Sequence, residues 1–358
     1  MFARNYSFEA RYIGTRGVHL DMQTRPTTYS PVTPSNSLPS YLHAPSQATL
    51  NALPLTLDAL EQSPDILPRY ANAGFTNPSL VEYAPRGNST YHGFATQMTK
   101  RYSDHLQFIA AWTWSHLIDD STEEFFTTLL TARRPQDSQH LAAERASSAL
   151  DHRHRVTFAA VYDVPFPAGA NRLLKSLGGG WSLAPMYTFE SPEYVTALSQ
   201  TDSNMNGDFF ADRTIINPAG ANGVGSGVTP LTNSSGETVA YLATNPNAHY
   251  IAAGAGAFAN GGRNTLAGRP IDNIDLNILK EIKTGDRVRM QFSAQLLNFL
   301  NHPQFVPGFT NRVDNPPNPN FSGSVFNYLT PGDPIFNNPE AIYSSNPRVI
   351  QLALKLLF

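Results

Sequence analysis

Residues 105–119 have the sequence HLQFIAAWTWSHLID, and the order of apolar and polar side chains within it indicates the fold. Apolar or aromatic side chains fill most even positions, whereas the polar residues Gln107, Thr113 and Ser115 fall on odd positions. Because successive side chains of a β-strand point to opposite faces, this pattern predicts a strand with one apolar face and one mostly polar face. The stretch also has the length, about ten residues or more, that a strand needs to cross a bilayer.

The same alternation recurs along the chain and predicts eight strands, near residues 3–14, 89–102, 105–119, 152–166, 180–196, 271–282, 286–300 and 347–358. Short or moderate connections alternate with long stretches rich in Pro, Asn, Ser and Gly, near residues 21–86, 120–150, 200–268 and 301–346. Structureless loops of this length are uncommon in compact soluble domains. Outer-membrane barrels, in contrast, combine short periplasmic turns with long extracellular loops.

We therefore expect an all-β fold, an antiparallel up-and-down transmembrane β-barrel with long extracellular loops, located in the outer membrane and surrounded by its lipid. Residues 1–358 would form one barrel segment without a plug domain. The eight strands could be part of the wall of a larger barrel, or they could close into a small barrel filled by side chains. The first twenty residues contain no apolar segment of a signal peptide, so for an exported protein the N-terminus would be incomplete.

A soluble β-sandwich or lipocalin-like barrel would show similar alternation, but two features favour the membrane barrel. Lys100 and Lys280 lie on the apolar face, and each is within about three residues of a short turn, where its ammonium group can reach the interface. At the middle of the bilayer each would cost roughly 2 to 4 kcal/mol. In addition, Tyr102, Trp112 and Trp181 lie near strand ends, as expected for interfacial aromatic girdles.

Composition excludes several functions. The net charge of -3 and the lack of a Lys/Arg cluster argue against nucleic acid as a partner. Without cysteine there is no disulfide framework and no thiolate zinc site. Nucleophile elbows, phosphate-binding loops and dinucleotide-binding motifs are missing, so we predict no enzyme activity, no catalytic residue and no cofactor apart from a metal ion considered below.

Residues 151–154, Asp-His-Arg-His, could form a metal pair or supply a catalytic imidazole, but we interpret them as interfacial hydrogen-bonding groups.

Residues 88–120, NSTYHGFATQMTKRYSDHLQFIAAWTWSHLIDD, resemble the barrel hairpin of TonB-dependent receptors. The likeness is to the Oar-like group in particular, whose members have a carboxypeptidase-regulatory-like N-terminal domain. Residues 262–305, GRNTLAGRPIDNIDLNILKEIKTGDRVRMQFSAQLLNFLNHPQF, look like a later part of the same barrel. The chain ends VIQLALKLLF, and an aromatic last residue after an alternating strand resembles the signal that the barrel-assembly machinery recognises. Phe358 would be that residue.

This resemblance implies a receptor that binds a scarce extracellular ligand with its long loops and passes it inward when TonB pulls on the plug. The chain would supply the C-terminal part of the barrel, and TonB would be a partner only if a missing N-terminal plug is present. The extracellular ligand is unknown. The alternative is a small outer-membrane barrel that acts as a structural or adhesive binding protein through its loops.

A second motif lies in the third long loop. The sequence DSNMNGD begins at Asp202 and matches the first half of a calcium loop, with oxygen donors at alternate positions and a glycine for the turn. Asp202, Asn204 and Asn206 would be side-chain ligands, and Asp208 would contribute through its backbone or side chain. The position at which the motif needs Glu is an arginine, with Asp212 beside it. Because Asp, Asn and Gly also form ordinary turns, a simple polar loop is the alternative.

Overall fold

An antiparallel sheet of long strands dominates the computed structural model, which describes residues 5–78, 80–122, 132–167, 169–283, 288–305, 326–341 and 347–358. Within these ranges eight long strands form the main path of the sheet. They are β1 (Tyr6–Thr24), β2 (Glu82–Ser103), β3 (Leu106–Asp119), β4 (His154–Asp163), β5 (Trp181–Glu190), β6 (Ile271–Lys283), β7 (Arg289–Leu297) and β8 (Val349–Leu357). A two-residue strand, Ala146–Ser147, pairs with the end of β3.

Each long strand pairs with the next one along the chain, and all these pairs are antiparallel. The predicted all-β, up-and-down arrangement is therefore confirmed. Asp104 and His105 join β2 to β3, and their positive φ angles of 51° and 63° give the twist that a two-residue hairpin turn requires. Within the described ranges β1 pairs only with β2, and β8 pairs only with β7. The sheet thus has two open edges.

Some strand boundaries differ from those predicted. β1 and β2 continue beyond the alternating stretch, past a bulge, until Thr24 pairs with Glu82. Backbone pairing does not require apolar side chains, so alternation alone underestimates these strands. β5 ends at Glu190 because Tyr194–Val195 pairs with Leu266–Ala267 in a separate two-stranded sheet. The predicted strand residues 3, 4, 286 and 287 lie outside the described residues.

One face of the sheet is apolar and exposed across its width. The register aligns Phe8, Met98, Ala110, Phe158 and Tyr187 on five successive strands. The large exposed apolar side chains on this face include Phe8, Tyr12, Phe94, Met98, Trp112, Trp114, Tyr162, Phe292, Ile350, Leu352, Leu354 and Leu356. A water-soluble sheet would cover such a face, so these side chains fit contact with lipid.

The opposite face of the sheet is mostly polar, although it also exposes Ile13, Ile109 and Met186. On it Arg155 of β4 lies directly across from Glu190 of β5, and the two side chains form an ion pair of 2.9 Å between Nε and Oε1. Both residues occupy the positions that the alternation predicts for the polar face. The two faces of the sheet therefore differ in the way expected of a barrel wall, with lipid outside and polar groups inside.

The two lysines on the apolar face bond to main-chain carbonyl groups at the short-turn end of the sheet. Lys100 Nζ donates to the carbonyl oxygens of Ser103 and Leu106, at 2.5 and 2.9 Å. Lys280 Nζ donates to the carbonyl oxygens of Leu177 and Gly179, and it lies 5.0 Å from the centre of the Trp181 ring. Each cation is thus held at a turn by several acceptors, as the position of these lysines near short turns predicts.

The four long connections lie at the other end of the strands, and we call residues 25–81, 120–153, 191–270 and 298–348 outer loops 1 to 4. Outer loop 1 contains three short helices, α1 (Gln47–Asn51), α2 (Leu57–Glu61) and α3 (Pro68–Ala71). The moderate β4–β5 connection at the opposite end contains α4 (Arg172–Gly178). The short strands of the outer loops are Ser40–Tyr41, Ala146–Ser147, Tyr194–Val195, Ile215–Ile216, Ala221–Ser226, Val228–Thr232, Thr238–Ala243, Ala248–Ile251 and Leu266–Ala267, and the 3-10 turns are Leu141–Glu144 and Pro339–Ala341. No helix among the described residues is long and apolar enough to span a membrane.

The expectation of structureless loops is wrong for the described parts of the outer loops, which pack together around three apolar clusters. One cluster joins outer loops 3 and 4 through Leu198, Tyr250 and Tyr328. A second joins outer loops 1 and 3 through Leu38, Ala253, Ala257 and Ala259. Small side chains allow the backbone to approach closely there, so an alanine- and glycine-rich stretch that resembles a linker forms part of a core.

The assignment of the apolar face to lipid predicts a difference between two adjacent positions on β2. Thr96→Arg places a cation on the apolar face near the middle of the alternating part of β2 and should lower the free energy of unfolding in a bilayer by about 2 to 4 kcal/mol. Gln97→Arg places the same cation on the polar face and should change it by less than about 1 kcal/mol. Denaturant titration of the chain refolded into vesicles measures both. Equal losses for the two variants would contradict the assignment.

Candidate functional site

Buried ion pairs fasten the outer loops to the end of the sheet. Arg263 of outer loop 3 pairs with Asp119 at the end of β3, and its Nη2 also donates to the Asp119 carbonyl oxygen at 2.6 Å. The same guanidinium donates through Nε to the carbonyl oxygen of Glu144 at 3.0 Å. The Glu144 carboxylate pairs with Arg213, and all four side chains are at most 7% exposed. Outer loops 2 and 3 are therefore held against β3 by charge pairs that water does not screen.

The His-rich segment 151–154 makes structural contacts. Asp151 is buried, and its carboxylate accepts hydrogen bonds from the backbone N–H of Leu117 at 2.7 Å and from Arg153 Nε at 2.6 Å. The His154 ring stacks on Trp112 with 6.0 Å between ring centres, whereas His152 Nδ1 lies 3.0 Å from the Ser191 carbonyl oxygen. Asp151, His152 and His154 each contact different partners and do not converge on one site. This fits the interpretation of the segment as interfacial hydrogen-bonding groups.

The turn from Asp202 to Asp208 has a defined hydrogen-bond pattern. The Asp202 carboxylate accepts from the backbone N–H groups of Asn206 at 3.0 Å and Gly207 at 2.8 Å. Gly207 has φ of +79°, a conformation that favours glycine. Asn206 Oδ1 accepts from the N–H of Asp208 at 2.8 Å, and Asn204 Oδ1 accepts from the N–H of Asn206 at 3.1 Å. The oxygen atoms of the three predicted ligands are thus turned toward the backbone of one tight turn.

A residue of outer loop 2 fixes the orientation of both asparagine side chains. Asn204 Nδ2 and Asn206 Nδ2 donate to the same acceptor, the carbonyl oxygen of Gln136, at 2.7 and 3.0 Å. With both amide nitrogens bound to Gln136, both amide oxygens face the turn. Ser30 of outer loop 1 adds a bond from its Oγ to the Asn204 carbonyl oxygen at 2.8 Å. Outer loops 1, 2 and 3 therefore meet at this turn.

The Asp208 side chain is occupied by two arginines. Arg134 binds it in a bidentate manner, with Nε to Oδ2 at 2.5 Å and Nη2 to Oδ1 at 2.7 Å. Arg25 Nε lies 3.4 Å from Oδ2. These contacts leave the main-chain carbonyl of Asp208 as the part of this residue that could bind a cation, as in the seventh position of a calcium loop.

Asp212 is buried at the centre of the segment, with 0% of its surface exposed. Its Oδ2 accepts from the N–H groups of Ser203 at 2.5 Å and Asn204 at 3.1 Å, and from Ser203 Oγ at 3.0 Å. Its Oδ1 is also buried and has no hydrogen-bond partner among the described residues. Burial raises the pKa of Asp212 to about 8, and the negative charge of Asp202 adds to this effect. Burial also raises the pKa of Asp202.

No three His, Asp or Glu side chains in the described part of the chain form a group that could hold a metal ion. A cation at this turn would depend on Asp202 and Asp212 together with amide and main-chain oxygens. The calcium loop formed by Asp202, Asn204, Asn206, Asp208 and Asp212 therefore stays a prediction. So does the role of Phe358, which follows β8 and is fully exposed, as an assembly signal.

Several important residues of this region could not be found from the sequence. Gln136, Arg134 and Arg25 lie more than sixty residues from the turn that they contact. Arg263 is separated from its partner Asp119 by 144 positions. Charged and amide side chains in polar loops have no distinguishing spacing, so their contacts depend on how the loops pack.

Comparison with known proteins agrees with this architecture. A family model described as "Outer membrane beta barrel domain" matches residues 1–351. The chain belongs to this outer membrane β-barrel domain family. The two-faced sheet of this barrel domain accordingly lies in the outer membrane. No curated protein matches the sequence.

The barrel domain also matches a solved structure, the outer membrane transporter YddB from Escherichia coli. The TM-score is 0.35 and the sequence identity is 7%. The match covers 85% of this chain and 27% of the transporter chain. The barrel domain thus corresponds to about a quarter of the length of that transporter.

The buried pair of Arg263 and Asp119 predicts a local effect of mutation. Arg263→Met leaves the Asp119 carboxylate buried and unpaired, which should destabilise the packing of outer loop 3 by about 3 to 5 kcal/mol. Hydrogen exchange of residues 191–270 measures this loss. Arg86→Met is the control, because its pair with Glu82 is largely exposed and should contribute about 0 to 1 kcal/mol. Similar exchange in the two variants would show that the buried pair does not hold the loop.

Proposed function

We propose that this barrel domain forms the C-terminal part of the wall of a TonB-dependent outer-membrane receptor, and that its outer loops contribute to the uptake of an extracellular ligand. The observation that supports this proposal best is that, within the described ranges, β1 and β8 are open edges of the sheet. A β-sheet edge leaves N–H and C=O groups without partners, and in hydrocarbon each such group costs several kcal/mol. A stable wall therefore needs further strands beside β1 and β8, or a direct bond between these two strands.

The packing of the outer loops supports a binding role. Three apolar clusters and a set of buried ion pairs hold the described parts of the loops in one arrangement. Ordered loops lose less conformational entropy when a ligand binds than flexible ones do, so a fixed arrangement suits recognition. A purely structural barrel would gain little from outer loops held in this way.

The second candidate function is that of a small barrel whose outer loops adhere to surfaces or to other proteins. The packed loops would serve it equally well. It differs in one structural requirement, because β1 would have to bond to β8 and close the barrel with eight strands.

The DNA sequence upstream of codon 1 distinguishes the two candidate functions. For a TonB-dependent receptor, the reading frame upstream of codon 1 should encode a plug domain, a TonB-contacting segment and a signal peptide. Deletion of TonB should then abolish uptake by cells that produce the complete protein. A signal peptide placed directly before Met1, with no plug between them, would contradict the receptor and support the small barrel.

Cross-linking tests closure directly, and the chain is suited to it because it contains no cysteine. Arg11→Cys on β1 combined with Lys355→Cys on β8 should not form an intramolecular cross-link in the chain refolded alone. The control pair, Glu9→Cys with Gln97→Cys, should cross-link readily, because these residues are opposite each other on β1 and β2. Efficient linkage of positions 11 and 355 in a monomer would show a closed eight-stranded barrel and would contradict the partial wall.

A further inference from the structure

The buried Oδ1 atom of Asp212 has no hydrogen-bond partner in the part of the chain that the structure describes. A polar atom that is removed from water and left unbonded costs about 1 to 3 kcal/mol, and more if it is charged. Oδ2 of the same carboxylate has three donors, whereas Oδ1 has none among the described residues. Protonation of Asp212 would not remove the cost, because the added O–H would also need a partner.

The charges around the turn are unbalanced in a specific way. Arg25 and Arg134 both bind Asp208, and Arg213 binds Glu144. Asp202 and Asp212 have only hydrogen-bond donors around their carboxylates, and no ion pair within 4 Å is found for either in the described ranges. Two carboxylates therefore share one turn without a direct ion pair. Arg25 lies near Asp202 and attracts it, but its Nη1 donates to the Gly207 carbonyl oxygen at 2.8 Å and not to the Asp202 carboxylate.

The remaining donors at the turn are oxygens. Asn204 and Asn206 direct their amide oxygens to the turn because Gln136 binds both amide nitrogens. Each amide oxygen accepts one N–H and retains a second lone pair. The Asp208 carbonyl oxygen accepts one N–H, from Ala211 at 3.4 Å, and has a second lone pair. Carboxylate, amide and main-chain oxygens are the ligands that calcium prefers, whereas zinc prefers nitrogen and sulfur.

We propose that outer loop 3 binds one calcium ion between Asp202 and Asp212, with Asn204, Asn206 and the main-chain carbonyl of Asp208 completing the ligand set. The ion provides Asp212 Oδ1 with its missing partner and neutralises both carboxylates. Outer loops 1 and 2 contact this turn through Ser30 and Gln136, so calcium stabilises the place where three outer loops meet. The proposal is independent of whether the barrel domain acts with TonB.

Hydrogen exchange of the full chain, refolded in detergent and stripped of metal with EDTA, tests the proposal. At calcium concentrations about 100 times the dissociation constant, the amides of residues 203–208 should exchange about 100-fold more slowly, because opening of the turn must release the ion. Magnesium at the same concentration should have a much smaller effect, because it requires near-ideal octahedral geometry and keeps several of its waters. The weakest dissociation constants known for extracellular calcium modules are about 1 mM, so even these would give roughly 10-fold slowing at about 10 mM calcium. An exchange rate that calcium leaves unchanged up to about 10 mM, or equal slowing by both ions, would overturn the assignment.

Two variants make the test specific. Asp212→Asn keeps an oxygen acceptor for Ser203 and Asn204 but removes the charge, so it should fold, exchange no faster than the parent chain in EDTA, and lose the calcium response. Asp58→Asn removes an exposed carboxylate from α2 and should respond like the parent chain. A full calcium response in Asp212→Asn would overturn the proposal, as would loss of the response in Asp58→Asn.

Discussion

The hydrogen bonds between neighbouring backbones are the interaction on which the whole structure depends. Hydrocarbon offers no partner to a peptide N–H or C=O group, so a strand in a bilayer must bond to strands on both sides. The continuous antiparallel ladder from β1 to β8 meets this requirement for all strands between its edges. It also makes side chains alternate between the two faces, so lipid contact and polar groups can be assigned residue by residue.

Charged side chains have different roles at the two ends of the sheet. At the turn end, Lys100 and Lys280 reach past the apolar face and bind main-chain carbonyl groups of the connections. At the loop end, Arg263 and Arg213 pair with buried carboxylates and fix the outer loops to β3. The short connections therefore need only local contacts, whereas the long ones behave as a small folded unit with apolar clusters of its own. This difference suits a protein that presents a fixed surface on one side of the membrane.

The parts of the structure that depend on alternation could be predicted, and those that depend on loop packing could not. The stretch 105–119 alone indicates β3 almost to the residue, because the apolar side chains of the lipid-facing side recur at every second position. The turn from Asp202 to Gly207 was recognisable because its spacing repeats within six residues. In contrast, the contact of Gln136 with that turn and the burial of Asp212 arise from folding of distant loop segments. Polar loops have no periodicity from which such contacts can be inferred.

The alternation of environment along β3 is the most direct measure of the central claim. Because the chain has no cysteine, a spin label can be placed at each position from 106 to 119 in turn, and its collision rates with oxygen and with a water-soluble nickel complex can be measured in vesicles. A wall between lipid and a polar interior predicts high oxygen accessibility at even positions and low accessibility at odd ones, with a period of two. A uniform profile, or a period near 3.6 residues, would contradict it.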